Sequence, residues 1–284
     1  MKTLLRFVKI EHSLFSLPLI FSGIFLAFNS WNEMSWRFVA LVLLAAISAR
    51  LVAMSLNRII DREIDKRNPR TQQRELPSGK MKLSSALLLT VISASVYFFV
   101  AYNVSTFCFF LSPIPLIIFT IYPYLKRFTP FAHFGVGFGL SMAPLGGWFA
   151  AKSYNGNFQF NSFSDLLPGI FITLFTIFWG TGFDIIYSTL DEEFDKKENL
   201  FSFPSRFGKE KALQYSALLH ILAFCVLVAL YFISVKSFIA LPFLLLSGFL
   251  LYLEQKKSDD VELAFFKINA VLGFVVFLMV LLKS

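Results

Sequence analysis

Residues 36–67 read WRFVALVLLAAISARLVAMSLNRIIDREIDKR. An apolar run of helix length fills most of this stretch, and Asn57, Asp61 and Asp65 follow at intervals of four residues. This spacing places the three side chains on one face of a helix that continues out of the apolar run. Because carboxylates on one helix face repel each other, the pattern predicts that cations lie between them.

A second acidic cluster follows another apolar run. Residues 184–195, DIIYSTLDEEFD, place Asp184, Tyr187, Asp191 and Asp195 along one helical face. Two such faces predict a divalent metal site, and oxygen ligands without a Cys or His cluster favour Mg²⁺ or Ca²⁺ over zinc. Of these ions, Mg²⁺ commonly shares its coordination with a substrate phosphate.

The two halves of the chain are similar to each other. A shift of about 130 residues lays Asp191 and Asp195 on Asp61 and Asp65, and each cluster leads into a basic loop that contains proline. In helical membrane proteins with internal repeats, the site commonly lies where the repeats meet. We therefore predict one domain over residues 1–284, built from two related four-helix units plus a ninth helix.

The composition places this arrangement in a lipid bilayer. The chain is 56% hydrophobic and 15% charged, with 37 Phe residues and a mean hydropathy of +0.67, which is more apolar than soluble domains are. The predicted fold class is all-α and integral to the membrane, with about nine transmembrane helices. The candidate spans are residues 13–30, 36–57, 84–102, 105–122, 132–151, 166–184, 212–233, 237–253 and 262–282.

The 26 Lys and Arg residues are unevenly placed. Most lie at the N-terminus or in the connections after the second, fourth, sixth and eighth spans, whereas Arg37, Lys152, Lys236 and Lys283 lie on the other side. Basic residues mark the cytoplasmic side of a membrane protein, so both acidic clusters are predicted to face the cytoplasm. Topology and contact with anionic lipid headgroups explain the net charge of +8 without a nucleic-acid partner.

Arg50 lies well inside the second span, on the same helical face as Asn57 and Asp61. A charge at that depth is costly and usually faces a cavity or a partner. Two interpretations stay open: Arg50 forms a salt bridge within the bundle, or it holds an anionic acceptor such as an aromatic carboxylate. His133 and His220 have no partner at ligand spacing, and we assign them packing roles.

Three segments resemble motifs of the UbiA-type intramembrane aromatic prenyltransferases: NRIIDREIDKRNPRTQQRELPSG from Asn57, the later DIIYSTLDEEFD, and YPYLKRFT at 122–129. The first two match the family patterns NxxxDxxxD and DxxYxxxDxxxD, and the resemblance covers nearly the whole chain. It implies an Mg²⁺-dependent enzyme of the EC 2.5.1 type. Such an enzyme transfers a polyprenyl group from an allylic diphosphate to an aromatic acceptor in the biosynthesis of menaquinone or ubiquinone.

Within that family, ARLVAMSLNRIIDREIDKRNPRT is similar to bacterial members of the 4-hydroxybenzoate polyprenyltransferase type. Some of these act on a dihydroxynaphthoate in the futalosine route to menaquinone. The resemblance therefore leaves two acceptor classes open, a hydroxybenzoate and a dihydroxynaphthoate.

Ionisation of an allylic diphosphate needs divalent metal and basic donors around the phosphate oxygens. The candidate catalytic residues are Asp61, Asp65, Asp191 and Asp195. The candidate Mg²⁺ ligands are Asn57, Asp61, Asp65, Asp184, Asp191 and Asp195. The candidate substrate-binding residues are Arg50, Arg70, Arg74, Tyr122, Lys126, Arg127 and Tyr187, of which the two tyrosines are implied by the family resemblance. Phe side chains would line an apolar groove for the isoprenoid chain.

Two other classes of membrane protein share parts of this pattern. A cation transporter or channel could use paired acidic helix ends to select ions, but here the acids lie at one membrane face beside basic loops, which suits a bound diphosphate better. A CDP-alcohol phosphotransferase also pairs membrane helices with acidic metal ligands, but its aspartate motif with a DG dipeptide is missing here. We expect an enzyme of the bacterial inner membrane with its active site facing the cytoplasm.

Overall fold

The computed structural model describes residue 7 and residues 13–28, 34–154 and 162–283. Over these ranges every regular element is helical, which confirms the all-α prediction. The α-helices are α1 (Ser13–Ala27), α2 (Trp36–Ile60), α3 (Arg62–Arg67), α4 (Leu83–Val104), α5 (Thr106–Leu111), α6 (Pro113–Leu125), α7 (Ala132–Ser153), α8 (Leu167–Ser188), α9 (Glu192–Lys197), α10 (Phe203–Phe207), α11 (Lys209–Leu230), α12 (Leu241–Lys256) and α13 (Asn269–Leu281). Short 3₁₀ turns precede α8, α9 and α12, and π-helical turns follow α11 and precede α13.

Eight helical segments in the described part of the chain are long and apolar enough to cross a bilayer. They correspond to the predicted spans from the second to the ninth. The predicted first span corresponds to α1, an apolar helix of 15 residues with Pro18 inside it, which is shorter than a typical transmembrane helix. A helical integral-membrane fold is therefore confirmed, whereas the count of nine spans is not.

Apolar side chains cover the outer surface of the bundle. Phe99 is 67% exposed, Phe110 72% and Ile221 60%. A soluble protein rarely leaves an apolar surface of this extent in contact with water. These side chains therefore face the hydrocarbon of the bilayer.

Some predicted spans are not single α-helices. The predicted span 105–122 divides into α5 and α6 because Pro113 begins the second helix. The predicted span 262–282 starts as a π-helical turn, Leu263–Ile268, and continues as α13. Such turns often occur at functional sites, and here Phe265 lies against Tyr187 of the second motif, with ring centroids 4.3 Å apart.

Small residues let the central helices approach closely. α7 packs against α1, α6 and α8, and α8 also packs against α11. A Cβ at Gly147 would overlap the backbone oxygen of Ile20 on α1, and a Cβ at Gly137 would overlap the hydroxyl of Thr181 on α8. Close approach at small residues is a common way to hold helices together in a bilayer. The division into two four-helix units and the single-domain assignment stay predictions; the helix that would begin the second unit, α7, packs against α1 and α6 of the first.

A buried polar network joins α8 to the last three helices. Trp179 Nε1 donates to Asn269 Oδ1 at 2.6 Å, and Asn269 Nδ2 donates to Glu254 Oε1 at 2.9 Å. On the neighbouring turn, Gln255 Nε2 lies 2.9 Å from His220 Nδ1. Because polar groups inside a membrane bundle need partners, these contacts fix α8, α11, α12 and α13 relative to one another.

Candidate active site

The first motif lies where α2 ends and α3 begins. Asp61 stands between the two helices, yet its amide donates to the Asn57 carbonyl at 3.0 Å and its carbonyl accepts from the Asp65 amide at 2.8 Å. The helical ladder therefore continues through the junction, and Asn57, Asp61 and Asp65 share one face as their spacing predicts. The Asn57 side-chain amide donates to Asp61 Oδ2 at 3.4 Å.

The Asp61 carboxylate is buried beside two cations. The residue is 3% exposed, Lys126 Nζ lies 2.8 Å from Oδ2, and Arg127 Nη2 lies 3.8 Å from Oδ1. Burial raises the pKa of Asp61, and the ammonium of Lys126 opposes that shift. Arg127 also donates to the Ile60 carbonyl at 2.9 Å, so the end of α6 is tied to the end of α2.

The loop after α3 folds back over the first motif. Arg74 Nη1 lies 2.9 Å from both carboxylate oxygens of Asp65. Thr71 Oγ1 donates to the Asp65 carbonyl at 3.1 Å. Asp65 is itself buried, so the loop covers this carboxylate and places an arginine on it.

The same loop also reaches the second motif. Arg70 donates to both oxygens of Asp191, from Nε at 2.9 Å and from Nη2, and its Nη1 donates to the Tyr187 hydroxyl at 2.6 Å. Asn68 Nδ2 donates to Asp191 Oδ1 at 2.8 Å. Burial would lower the pKa of Arg70, but its bonds to Asp191 and Tyr187 raise it. This bidentate pair, a strong form of ion pair, joins the two motifs into one site.

Asp184 has a partner that the sequence did not indicate. His133 Nδ1, at the start of α7, lies 2.7 Å from Asp184 Oδ2. The packing role that we assigned to His133 is therefore incomplete, because the ring also contacts a motif carboxylate. The two residues are 51 positions apart, so no local spacing could reveal the pair. Asp195 lies on α9, and burial raises the pKa of its carboxyl group.

Tyr122, on α6, lies near the first motif and near Arg50. Asn57, Asp61, Asp184 and Arg50 are all close enough to the Tyr122 side chain to act on it electrostatically. Gly135 on α7 permits this position, because a Cβ there would lie 2.5 Å from the Tyr122 Cβ. The structure thus brings Arg50 towards the motif face, and its role as an acceptor ligand stays a prediction.

The carboxylates and cations of the site are arranged in pairs. The pairs are Asp61 with Lys126, Asp65 with Arg74, and Asp191 with Arg70. Within the described ranges, no three His, Cys, Asp or Glu side chains converge on one point as a formed metal site. A bound Mg²⁺ would therefore compete with these cationic side chains for the oxygens of the motif carboxylates. The carboxylate oxygens suit Mg²⁺, and the released Lys and Arg side chains suit phosphate oxygens.

The chain resembles known proteins over nearly its whole length. Residues 16–278 match the model of the UbiA prenyltransferase family. A 4-hydroxybenzoate octaprenyltransferase from Janthinobacterium sp. (strain Marseille) is 29% identical over 178 residues, which are 61% of this chain and 58% of that protein. The matched region thus spans little more than half of that curated relative.

Two solved structures have the same fold. The apo structure of a UbiA homologue from Aeropyrum pernix K1 has a TM-score of 0.86 at 29% identity, over 96% of this chain and 98% of that one. A UbiA homologue from Archaeoglobus fulgidus bound to GPP and Mg²⁺ has a TM-score of 0.70 at 18% identity, over 98% and 99% of the two chains.

Proposed function

We propose, because the chain belongs to the UbiA prenyltransferase family, that it transfers a polyprenyl group from an allylic diphosphate to an aromatic acceptor. The family match confirms the resemblance carried by the motifs. The observation that best supports the activity is the loop after α3, which places Arg70 on Asp191 and Arg74 on Asp65. Two acidic motifs interleaved with arginines suit a ligand that brings a metal and a diphosphate together.

We propose Mg²⁺ as the cofactor, and it would neutralise negative charge on the departing diphosphate. The residues that would hold it are Asn57, Asp61, Asp65, Asp184, Asp191 and Asp195. The Archaeoglobus fulgidus homologue bound to GPP and Mg²⁺ supports a site that holds Mg²⁺ together with a prenyl diphosphate.

Basic side chains from two elements would bind the diphosphate. Lys126 and Arg127 approach from the end of α6, and Arg70 and Arg74 approach from the loop after α3. As the allylic carbon–oxygen bond breaks, these donors stabilise the negative charge of the leaving group. The acceptor ring then forms a bond with the allylic carbon and loses a proton. The apolar helices around the site would exclude water, which would otherwise react with the allylic carbocation.

The proposed acceptor is an aromatic acid of the hydroxybenzoate or dihydroxynaphthoate type, prenylated in quinone biosynthesis. Its carboxylate would meet the guanidinium of Arg50, which presents a planar set of donors inside the bundle. Tyr122, near Arg50, is a further polar partner. The name of the Janthinobacterium relative makes 4-hydroxybenzoate the first acid to test.

The protein is an integral membrane protein, and we propose that it lies in a bacterial inner membrane with the site facing the cytoplasm. The distribution of Lys and Arg supports this orientation. In a chain with Cys108 and Cys225 replaced, single cysteines in loops 66–82 and 196–211 should react with an impermeant maleimide only after the inner membrane is opened. Labelling of either loop from the periplasmic side of intact membranes would contradict the orientation.

The activity is tested by incubating purified protein with prenyl diphosphates of several lengths and aromatic acids, with Mg²⁺ or with EDTA. Mass spectrometry should detect a prenylated acid, and a phosphate assay coupled to an inorganic diphosphatase should detect released diphosphate, only when Mg²⁺ is present. Ion flux measured in proteoliposomes separates this function from a cation transporter. Flux without any prenylated product would refute the proposal.

A further inference from the structure

We propose that His133 is a positioning residue. It orients Asp184 in the site, and it also attaches the segment that follows the second motif to Asp184. This inference rests on the proposed function, because it concerns the carboxylate as a ligand of the metal and diphosphate. It assigns to His133 a role that spacing along the chain does not suggest.

The His133 ring connects three elements of the fold. It stands in the first turn of α7 with only 7% of its side chain exposed. Across the interface with α8, its Nδ1 lies 2.7 Å from Asp184 Oδ2. On its other edge, Nε2 lies 3.3 Å from the amide nitrogen of Phe203, the first residue of α10. The Phe203 ring packs beside the imidazole, with centroids 5.7 Å apart.

These two contacts define the tautomer. An amide N–H can only donate, so Nε2 is the unprotonated ring nitrogen that accepts from Phe203. Nδ1 therefore carries the ring proton and donates it to the Asp184 carboxylate. Such partners fix the orientation of metal-binding side chains. The hydrogen bond from His133 uses Asp184 Oδ2, so it does not occupy the lone pairs of Asp184 Oδ1.

Through its contact with Phe203, His133 is also connected to the first motif. Two residues earlier, the Phe201 amide donates to the Lys126 carbonyl at 2.7 Å. The side chain of Lys126 in turn lies 2.8 Å from Asp61. The segment after the second motif is thus hydrogen-bonded both to Lys126 and to His133, and through His133 it is linked to Asp184 on α8.

Three substitutions separate the two contacts of the ring. His133→Asn places an amide N–H₂ near the position of Nδ1, so it keeps the donor to Asp184 and loses the acceptor for Phe203. His133→Gln places its amide near the position of Nε2, and His133→Phe removes both polar contacts. If orientation of Asp184 is the function, the Gln and Phe variants should bind Mg²⁺ about tenfold to a hundredfold more weakly, while the Asn variant stays close to wild type.

Mg²⁺ affinity can be measured without turnover. Mg²⁺ is titrated into detergent-purified protein with an unreactive prenyl thiolodiphosphate and no acceptor, and the rise in the thermal midpoint gives the apparent affinity. The Mg²⁺ dependence of kcat and of both KM values is then measured with substrates. His220→Asn is the matched control, since His220 is also a buried histidine of the bundle, hydrogen-bonded to Gln255. It should lower the midpoint and leave the Mg²⁺ dependence unchanged.

Wild-type Mg²⁺ affinity in both His133→Gln and His133→Phe would overturn the inference, whatever their thermal midpoints, and would leave the proposed function standing. If His133→Phe does not fold, equal affinities in the Asn and Gln variants overturn it as well. Absence of any Mg²⁺-dependent stabilisation in the wild-type protein would instead refute the proposed function, and this inference with it.

Discussion

Replacement of Asp191 by Asn keeps the shape of the side chain and removes its charge. In the structure this carboxylate accepts from Arg70 Nε at 2.9 Å, from Arg70 Nη2, and from Asn68 Nδ2 at 2.8 Å. The amide of Asp191→Asn has only one oxygen, so part of the arginine fork meets an N–H₂ group, which is itself a donor. The substitution therefore weakens the Arg70–Asp191 ion pair, which links the two motifs.

The size of the effect follows from these contacts. A hydrogen bond to a charged group contributes about 1.5–3 kcal/mol and a neutral one about 0.5–1.5 kcal/mol. Asp191 is 15% exposed and Arg70 31%, so water screens the pair only partly. Conversion of two charge-assisted bonds to neutral or repulsive contacts costs roughly 2–3 kcal/mol, or about 30- to 150-fold in an equilibrium constant. If Asp191 also binds the metal, we expect kcat/KM to fall by at least about a hundredfold.

The assay is kcat/KM for the prenyl diphosphate in a double-mutant cycle of Asp191→Asn and Arg70→Lys. If the two residues act as one unit, the free-energy loss in kcat/KM of the double variant is smaller than the sum of the losses of the two single variants. Glu192→Gln is the matched control, because it removes the adjacent carboxylate, whose ion pair is with the exposed Lys196. Such a surface pair contributes about 0.3–0.5 kcal/mol. The reasoning is refuted if Asp191→Asn keeps more than about a third of the wild-type kcat/KM, or if the two losses are additive.

Three further outcomes are expected. Asp61→Ala should nearly abolish turnover while the protein still elutes as a folded particle in detergent, and normal product formation would remove Asp61 from the metal site. Arg50→Lys should raise the acceptor KM by about tenfold to a hundredfold and leave the diphosphate KM unchanged, because lysine lacks the bidentate fork; a lower thermal midpoint with both KM values unchanged would instead identify a salt bridge. Asn269→Ala should lower stability in detergent by about 1–3 kcal/mol, because Trp179 and Glu254 lose buried partners, and an unchanged unfolding midpoint would contradict that role.

The membrane setting and the two acidic faces could be predicted from the sequence because both depend on neighbours along the chain. Hydropathy over a helix length defines a span, and intervals of four residues place Asn57, Asp61 and Asp65 on one face whatever surrounds them. Breaks within spans were harder to predict. Pro113 ends one helix and begins another, and the π-helical turn before Asn269 adds a residue without changing the apolar character of the span.

The pairing of charges across the site was decided only by the tertiary structure. Arg70 and Asp191 are 121 positions apart, and His133 and Asp184 are 51 apart. Their contacts depend on how closely the helices approach and how the loop after α3 folds over both motifs. Close approach of α7 and α8 depends in turn on Gly137. Local periodicity determines which face of a helix a side chain occupies, whereas the packing of distant helices determines which side chain it meets there.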